Sequence, residues 1–199
     1  MRGNGRWSPT KWRWRHYKDG RLVWASGLDI PEEPLSALGV EHGSKFDSMI
    51  RELQEFAGNV VTDEGEGWFL NAALRNVDVP TSFELILSTS GTLAETSVYA
   101  NRSELGDGNG YAAKSVARST GGWTAPTGTT PTSVTTPTAG THDWTATGAW
   151  ATVEAGCIIT VGATADRLIA YNVLNAGSGR TLATDDTLSV DFDLQGGGS

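Results

Sequence analysis

The 199-residue chain has a single cysteine, Cys157, so no internal disulfide can staple it. With Ile158, Ile159 and Val161 beside it, that cysteine reads as a small core side chain rather than a reactive thiol. No apolar run reaches the ~18 residues of a transmembrane helix. The basic, tryptophan-rich start also lacks the apolar core of a signal peptide. We therefore expect folding in a cytoplasm and no membrane association. There is no Gly-x-Ser-x-Gly elbow, and His16, His42 and His142 lie far apart, without metal-ligand spacing. His142-Asp143 does not make a catalytic pair, because neighbours in a strand point to opposite faces. The expectation is a protein that is not an enzyme and holds no cofactor or metal.

Positive charge is scarce overall, the formal net charge being -8. What there is gathers at the start: Arg2, Arg6, Lys11, Arg13, Arg15, Lys18 and Arg21 stand against Asp19 alone in residues 1–24. Trp12 and Trp14 alternate with Lys11, Arg13 and Arg15. Tyr17, a Lys18-Asp19-Gly20 turn and Leu22-Val23-Trp24 follow, the pattern of a hairpin with rings on one face and cations on the other. A lone hairpin is marginal in water, so its tryptophan face must lie against something. The expected partner is another protein or a second copy, gripped by Trp7, Trp12, Arg13, Trp14, Arg15, Tyr17 and Trp24. Rings interleaved with cations also suit single-stranded nucleic acid, but the acidic remainder of the chain would repel a long track.

The 25 glycines and abundant Thr and Ser favour short strands and tight turns over a helical bundle. Phe46, Met49, Ile50 and Leu53 have helical spacing from Ser44 to Gly58. A second helix is expected from Thr62 or Asp63, with Trp68, Phe69, Leu70, Ala73 and Leu74 as its apolar side and Gly65 and Gly67 weakening its first turn. From Pro80 the period becomes two. Strands are expected around Phe83–Ser88, Tyr111–Arg118, Trp144–Thr147, Trp150–Val153, Gly156–Gly162, Leu168–Leu174 and Leu188–Leu194, with a long Thr- and Pro-rich loop over 124–140 and a short strand near Val134. In the last strand Leu188, Val190, Phe192 and Leu194 face inward, while Ser189, Asp191 and Asp193 make a wet, acidic face.

The fold expected is thus mainly β: an antiparallel β-sandwich, jelly-roll-like or Ig-like, with two N-terminal helices and an extended N-terminal arm. Its parts are an arm over 1–30, a helical connector over 31–79, the sandwich over 80–195 and a tail over 196–199. Glu104, Asp107 and Asn109, and likewise Asp185-Asp186, read as tight turns rather than calcium loops. Trp123 and Trp144 are the residues to test for sugar stacking, the basis of an alternative function as a carbohydrate-binding module for host surface glycans.

Several segments in order carry a resemblance. They are Asn59 to Gly65, Leu85-Ile86-Leu87-Ser88-Thr89, Gly108-Asn109-Gly110-Tyr111-Ala112 running to Ser119, Trp150 to Val153, Leu168-Ile169-Ala170-Tyr171, Arg180-Thr181-Leu182 and Asp186-Thr187-Leu188, with Lys18-Asp19-Gly20 and Leu22-Val23-Trp24 in front. Together they resemble accessory structural proteins of tailed-bacteriophage virions, of minor structural, head-decoration or tail-fibre-associated type. The likeness covers about residues 12–194 and departs at Leu28 to Gly58, where the helix is longer. It implies a virion component without catalytic residues, a homo-oligomer bound to capsid or tail subunits and assembled in the host cytoplasm.

Overall fold

The first and last strands of the chain lie side by side. The computed structural model describes residues 11–26, 37–47, 60–121, 123, 132–135, 141–162, 164–174 and 178–196. Within them β1 (Lys11–Lys18) and β2 (Arg21–Ala25) form the expected hairpin, turning at Asp19 and Gly20 with positive φ at both. A short β3 (Val60–Val61) precedes α1 (Asp63–Leu70), which continues as a π-helical turn over Asn71–Arg75 and stops at left-handed Asn76. The body follows with β4 (Ser82–Ser88), β5 (Lys114–Ala117), β6 (Thr132–Thr135), β7 (Thr141–Thr145), β8 (Ala155–Val161), β9 (Leu168–Val173) and β10 (Thr187–Gly196).

These strands make two antiparallel sheets in a sandwich-like arrangement. One has the order β2-β1-β10-β6 with β7 also on β10; the other runs β3-β9-β8-β4-β5. The register of β1 on β10 sets Trp12 opposite Phe192, Trp14 opposite Val190 and His16 opposite Leu188. These residues share the inward face with Trp144, which lies opposite Leu188. Leu85, Leu87, Ile158 and Ala170 meet them from the second sheet. Gly156 of β8 is required where the layers touch, since a Cβ there would lie 2.4 Å from the Trp14 ring and 2.7 Å from that of Trp12.

The arm expected over 1–30 is therefore corrected for its described part, residues 11–26. Strand β1 needs partners for its backbone N–H and C=O groups, and β10 supplies them within the same molecule. The tryptophan face then falls into the chain's own core: Trp12 and Trp14 are both 0% exposed. Trp7 lies outside the described residues.

The wet face expected for β10 is also overturned at Ser189 and Asp191, the side chain of Asp193 lying outside the described residues. Ser189 and Asp191 are buried, because residues 37–47 lie over that side of the sheet, with Val40 packed on Tyr17, Leu22 and Ala25. Of the helix expected over 44–58, residues 45–47 are helical and the rest lies outside the described residues. Trp150–Val153 is not a strand; Val153 forms a bridge with Arg180, and Trp150 N–H donates to the Leu182 carbonyl.

Gly65 has a clear role at the start of α1. A Cβ on it would sit 2.4 Å from the Ile169 carbonyl oxygen, so glycine lets the helix rest directly on β9. Thr62 caps this end, accepting from Gly65 N–H at 3.0 Å and donating to the Leu168 carbonyl. Glu64 accepts from the backbone N–H groups of Leu168 and Tyr99, at 2.8 and 2.7 Å, and pairs with Arg167. The acid of the first turn thus ties helix, strand and loop together.

Candidate interaction surfaces

Trp12, Trp14, Arg15 and Tyr17 of β1 are occupied internally. Trp14 stacks on Trp12 at 5.5 Å and its indole N–H donates to Asn172 Oδ1 at 2.7 Å. Trp12 also stacks on Phe192. Arg15, wholly buried on the opposite face, pairs with Asp191 at 3.0 Å. Burial alone would lower the pKa of Arg15, but Asp191, Tyr17 and Asp47 outweigh it and the net shift is upward. The Tyr17 hydroxyl donates to Asp47 Oδ1 at 2.6 Å; burial holds its pKa well above the ordinary value, against the opposing pull of Arg15. Trp24 is half-buried beneath the Arg180 guanidinium, 4.1 Å from the ring centroid. Arg13 is half-buried in the same strand. As a gripping surface for a neighbour, Trp12, Trp14, Arg15 and Tyr17 are excluded by their burial, and the same burial removes them as a nucleic-acid track.

The tryptophans considered for sugar stacking form no platform. Trp144 is buried, with its indole N–H donating to the Ala112 carbonyl at 2.8 Å. Trp123 is half-buried, meeting Phe83 and Phe192 edge to face at 5.5 and 5.8 Å. Rings at such angles give no pair of coplanar open faces.

A second polar group surrounds Asp143 on the outer face of the first sheet. Ser189 Oγ donates to one carboxylate oxygen and His42 Nε2 lies 3.3 Å from the other. The carboxylate therefore stands between hydroxyl and imidazole. Activating a serine requires the imidazole against Oγ, so this order supplies no general base to the hydroxyl. His142, on the opposite side of β7, stacks on Phe192 at 5.7 Å; burial lowers its pKa, and Lys114 lowers it further. Cys157 is buried, which pushes its thiol up to about 12 and leaves it protonated.

The turns are similarly tied into the frame. Asp186 meets His16 Nε2 at 3.1 Å and accepts from Ala183 N–H at 2.9 Å. The Asn109 carbonyl accepts from the Trp150 indole at 2.7 Å. Among the described residues no group of three His, Cys, Asp or Glu side chains could hold a metal ion. None of the described helices is long and apolar enough to cross a membrane.

Exposed large apolar side chains lie elsewhere. On α1 and the turn after it Leu74 is 78% exposed and Leu70 53%, with Phe69 and Val77 also open. Leu38 and Phe46, each 61% exposed, project from the strip 37–47. Reading the helix as a single amphipathic element missed the first group. Gly65, Trp68 and Ala72 share a side at i, i+3 and i+7, and Leu74 falls roughly opposite Gly65 on a helix of about 3.6 residues per turn, but spacing alone does not mark which of the two sides turns inward. Trp68 faces inward, edge-on to Phe83 at 5.7 Å, and donates to the Asp78 carbonyl.

Fold and surfaces together define a mainly β chain of two antiparallel sheets, in which the described polar side chains Arg15, His16, Asp186 and Asp191 are engaged in internal pairs and Leu38, Phe46, Phe69, Leu70, Leu74, Val77 and Val98 are the exposed large apolar residues described. No family model matches this chain, and neither a curated protein nor a solved structure does.

Proposed function

We propose that the chain is a non-enzymatic structural protein of a tailed-phage virion, an accessory component on the head or tail that binds capsid or tail subunits and further copies of itself. The observation that carries the binding part is the set of open apolar side chains Phe69, Leu70, Leu74 and Val77 on and after α1, whereas Trp12, Trp14, Tyr17 and Trp144 are spent on the core. The virion part rests on the resemblance of the ordered β-body segments. Contact through the helix face replaces the N-terminal grip first expected, and assembly in the host cytoplasm remains part of the reading.

Within this reading the sandwich is jelly-roll-like rather than Ig-like. In an Ig domain the first and last strands belong to opposite sheets, whereas here β1 and β10 are antiparallel neighbours in one. Mass spectrometry of particles purified from cells making the chain tests the function. A fixed ratio to the shell protein is expected; recovery only from the unassembled fraction would overturn the proposal.

A further inference from the structure

We infer that copies of this chain associate head to tail, the acidic apolar face of α1 in one copy seating on the cationic strip beside the β1–β2 turn of the next. This rests on the reading as an assembly module and names its contact surfaces.

The donor face is built by helix spacing. Leu70 and Leu74 are one turn apart, and Asp63 and Glu66 precede Leu70 by seven and four residues, on the same side. Across helix and π-turn Asp63, Glu64 and Glu66 stand against Arg75 alone. Glu64 is turned toward Arg167 and the backbone of β9, leaving Asp63 exposed and Glu66 half-exposed beside the leucines.

The receiving face is built by strand pairing. Residues 40–42 run along β2: Leu22 N–H donates to the Val40 carbonyl, His42 N–H to the Gly20 carbonyl, and Arg21 bridges to Glu41. That pairing holds Leu38 and Phe46 on an outward strip with exposed Lys45, next to exposed Lys18 and Arg21. Lys18, Asp19, Arg21 and Val23 line a shallow groove of about 380 Å³. The bases Lys18, Arg21 and Lys45 outnumber the acids Asp19 and Glu41.

The two faces sit on different sheets, α1 on β9 through Gly65 and the strip over β1 and β2. Each has an apolar centre, and their rims carry opposite charge surpluses. Packing α1 on its own copy would set acid against acid, which disfavours a self-complementary contact. A contact between unlike patches is heterologous, and it closes into a ring or continues as a filament.

Sedimentation velocity of the full chain over a concentration series tests this. Reversible association is expected for the wild type, weakened about tenfold or more by Leu74→Glu or by Arg21→Glu. Mixing the two variants should restore one intact pair and give a dimer that grows no further. The doubly reversed chain carrying Glu66→Arg and Arg21→Glu should regain association lost in Arg21→Glu. Circular dichroism checks that each variant is folded; if Leu74→Glu is not, Leu74→Ser replaces it. A wild type that stays monomeric overturns the inference, as does a Leu74 variant that associates normally. Failure of the mixed dimer overturns the head-to-tail pairing. None of these outcomes decides whether the chain occurs in particles, which the mass-spectrometric ratio reads separately.

Discussion

The hairpin β1–β2 and the helix α1 both carry rings and aliphatic side chains, yet the first is interior and the second is open. Trp12 and Trp14 are sealed between the sheets, whereas Leu70 and Leu74 of the helical segment face outward. The difference comes from the backbone. A strand leaves its donors and acceptors to a neighbour, so β1 is drawn onto β10 and its side chains enter the core with it. A helix satisfies its backbone internally and needs only one packed side. Gly65 and Trp68 supply that side for α1, and Leu70 and Leu74 stay exposed.

The largest expected break in this comparison is Trp14→Ala. It removes a fully buried ring and the indole N–H that donates to Asn172 Oδ1, at a cost of about 3–5 kcal/mol, read as a lower denaturant midpoint. If the hairpin were a detachable tether, the midpoint would hardly move. Gly156→Ala comes next, at about 1–3 kcal/mol, because the added methyl meets the Trp14 and Trp12 rings and overpacks the layer. Unfolding by chemical denaturant in parallel with Trp14→Ala would rank the two.

A smaller effect is expected with pH. Burial, and then Lys114, depress the folded-state pKa of His142, while Asp191 and Asp143 pull it the other way. The unfolded chain therefore takes up the proton first. Stability contributed by neutral His142 is intact above its unfolded value of about 6.5 and is lost as pH falls below it. His142→Gln should flatten the fall in stability between neutral and mildly acidic pH, measured as the slope of unfolding free energy against pH. An unchanged slope would remove His142 as its source. The smallest effect sharpens the other half of the comparison: Leu74→Ser should alter the stability of the monomer by no more than about 0.5 kcal/mol, since the side chain is already in water.

Strands β4, β8, β9 and β10 were legible because alternation or a continuous apolar run marks them, and the β1–β2 hairpin because its Asp-Gly turn sits between period-two segments. The candidate surfaces were not. Leu74 and Trp68 have similar apolarity, and only the contact of Gly65 with the Ile169 backbone settles which side of α1 turns inward. Nor could alternation in β10 foretell a covered outer face. Asp191 looks solvated until Arg15 reaches it diagonally from β1 and residues 37–47 are laid over the sheet.

By itself, then, the order of residues determined a mainly β chain with a basic, ring-bearing hairpin at its front and a strongly patterned strand at its end. Only the tertiary structure decided that the two are neighbours and that the tryptophans point inward. The physical reason is that periodicity records which residues share a face, a local property of a few consecutive side chains. What that face meets depends on pairing between strands separated by nearly the whole chain, where burial of the rings and satisfaction of the backbone are achieved together.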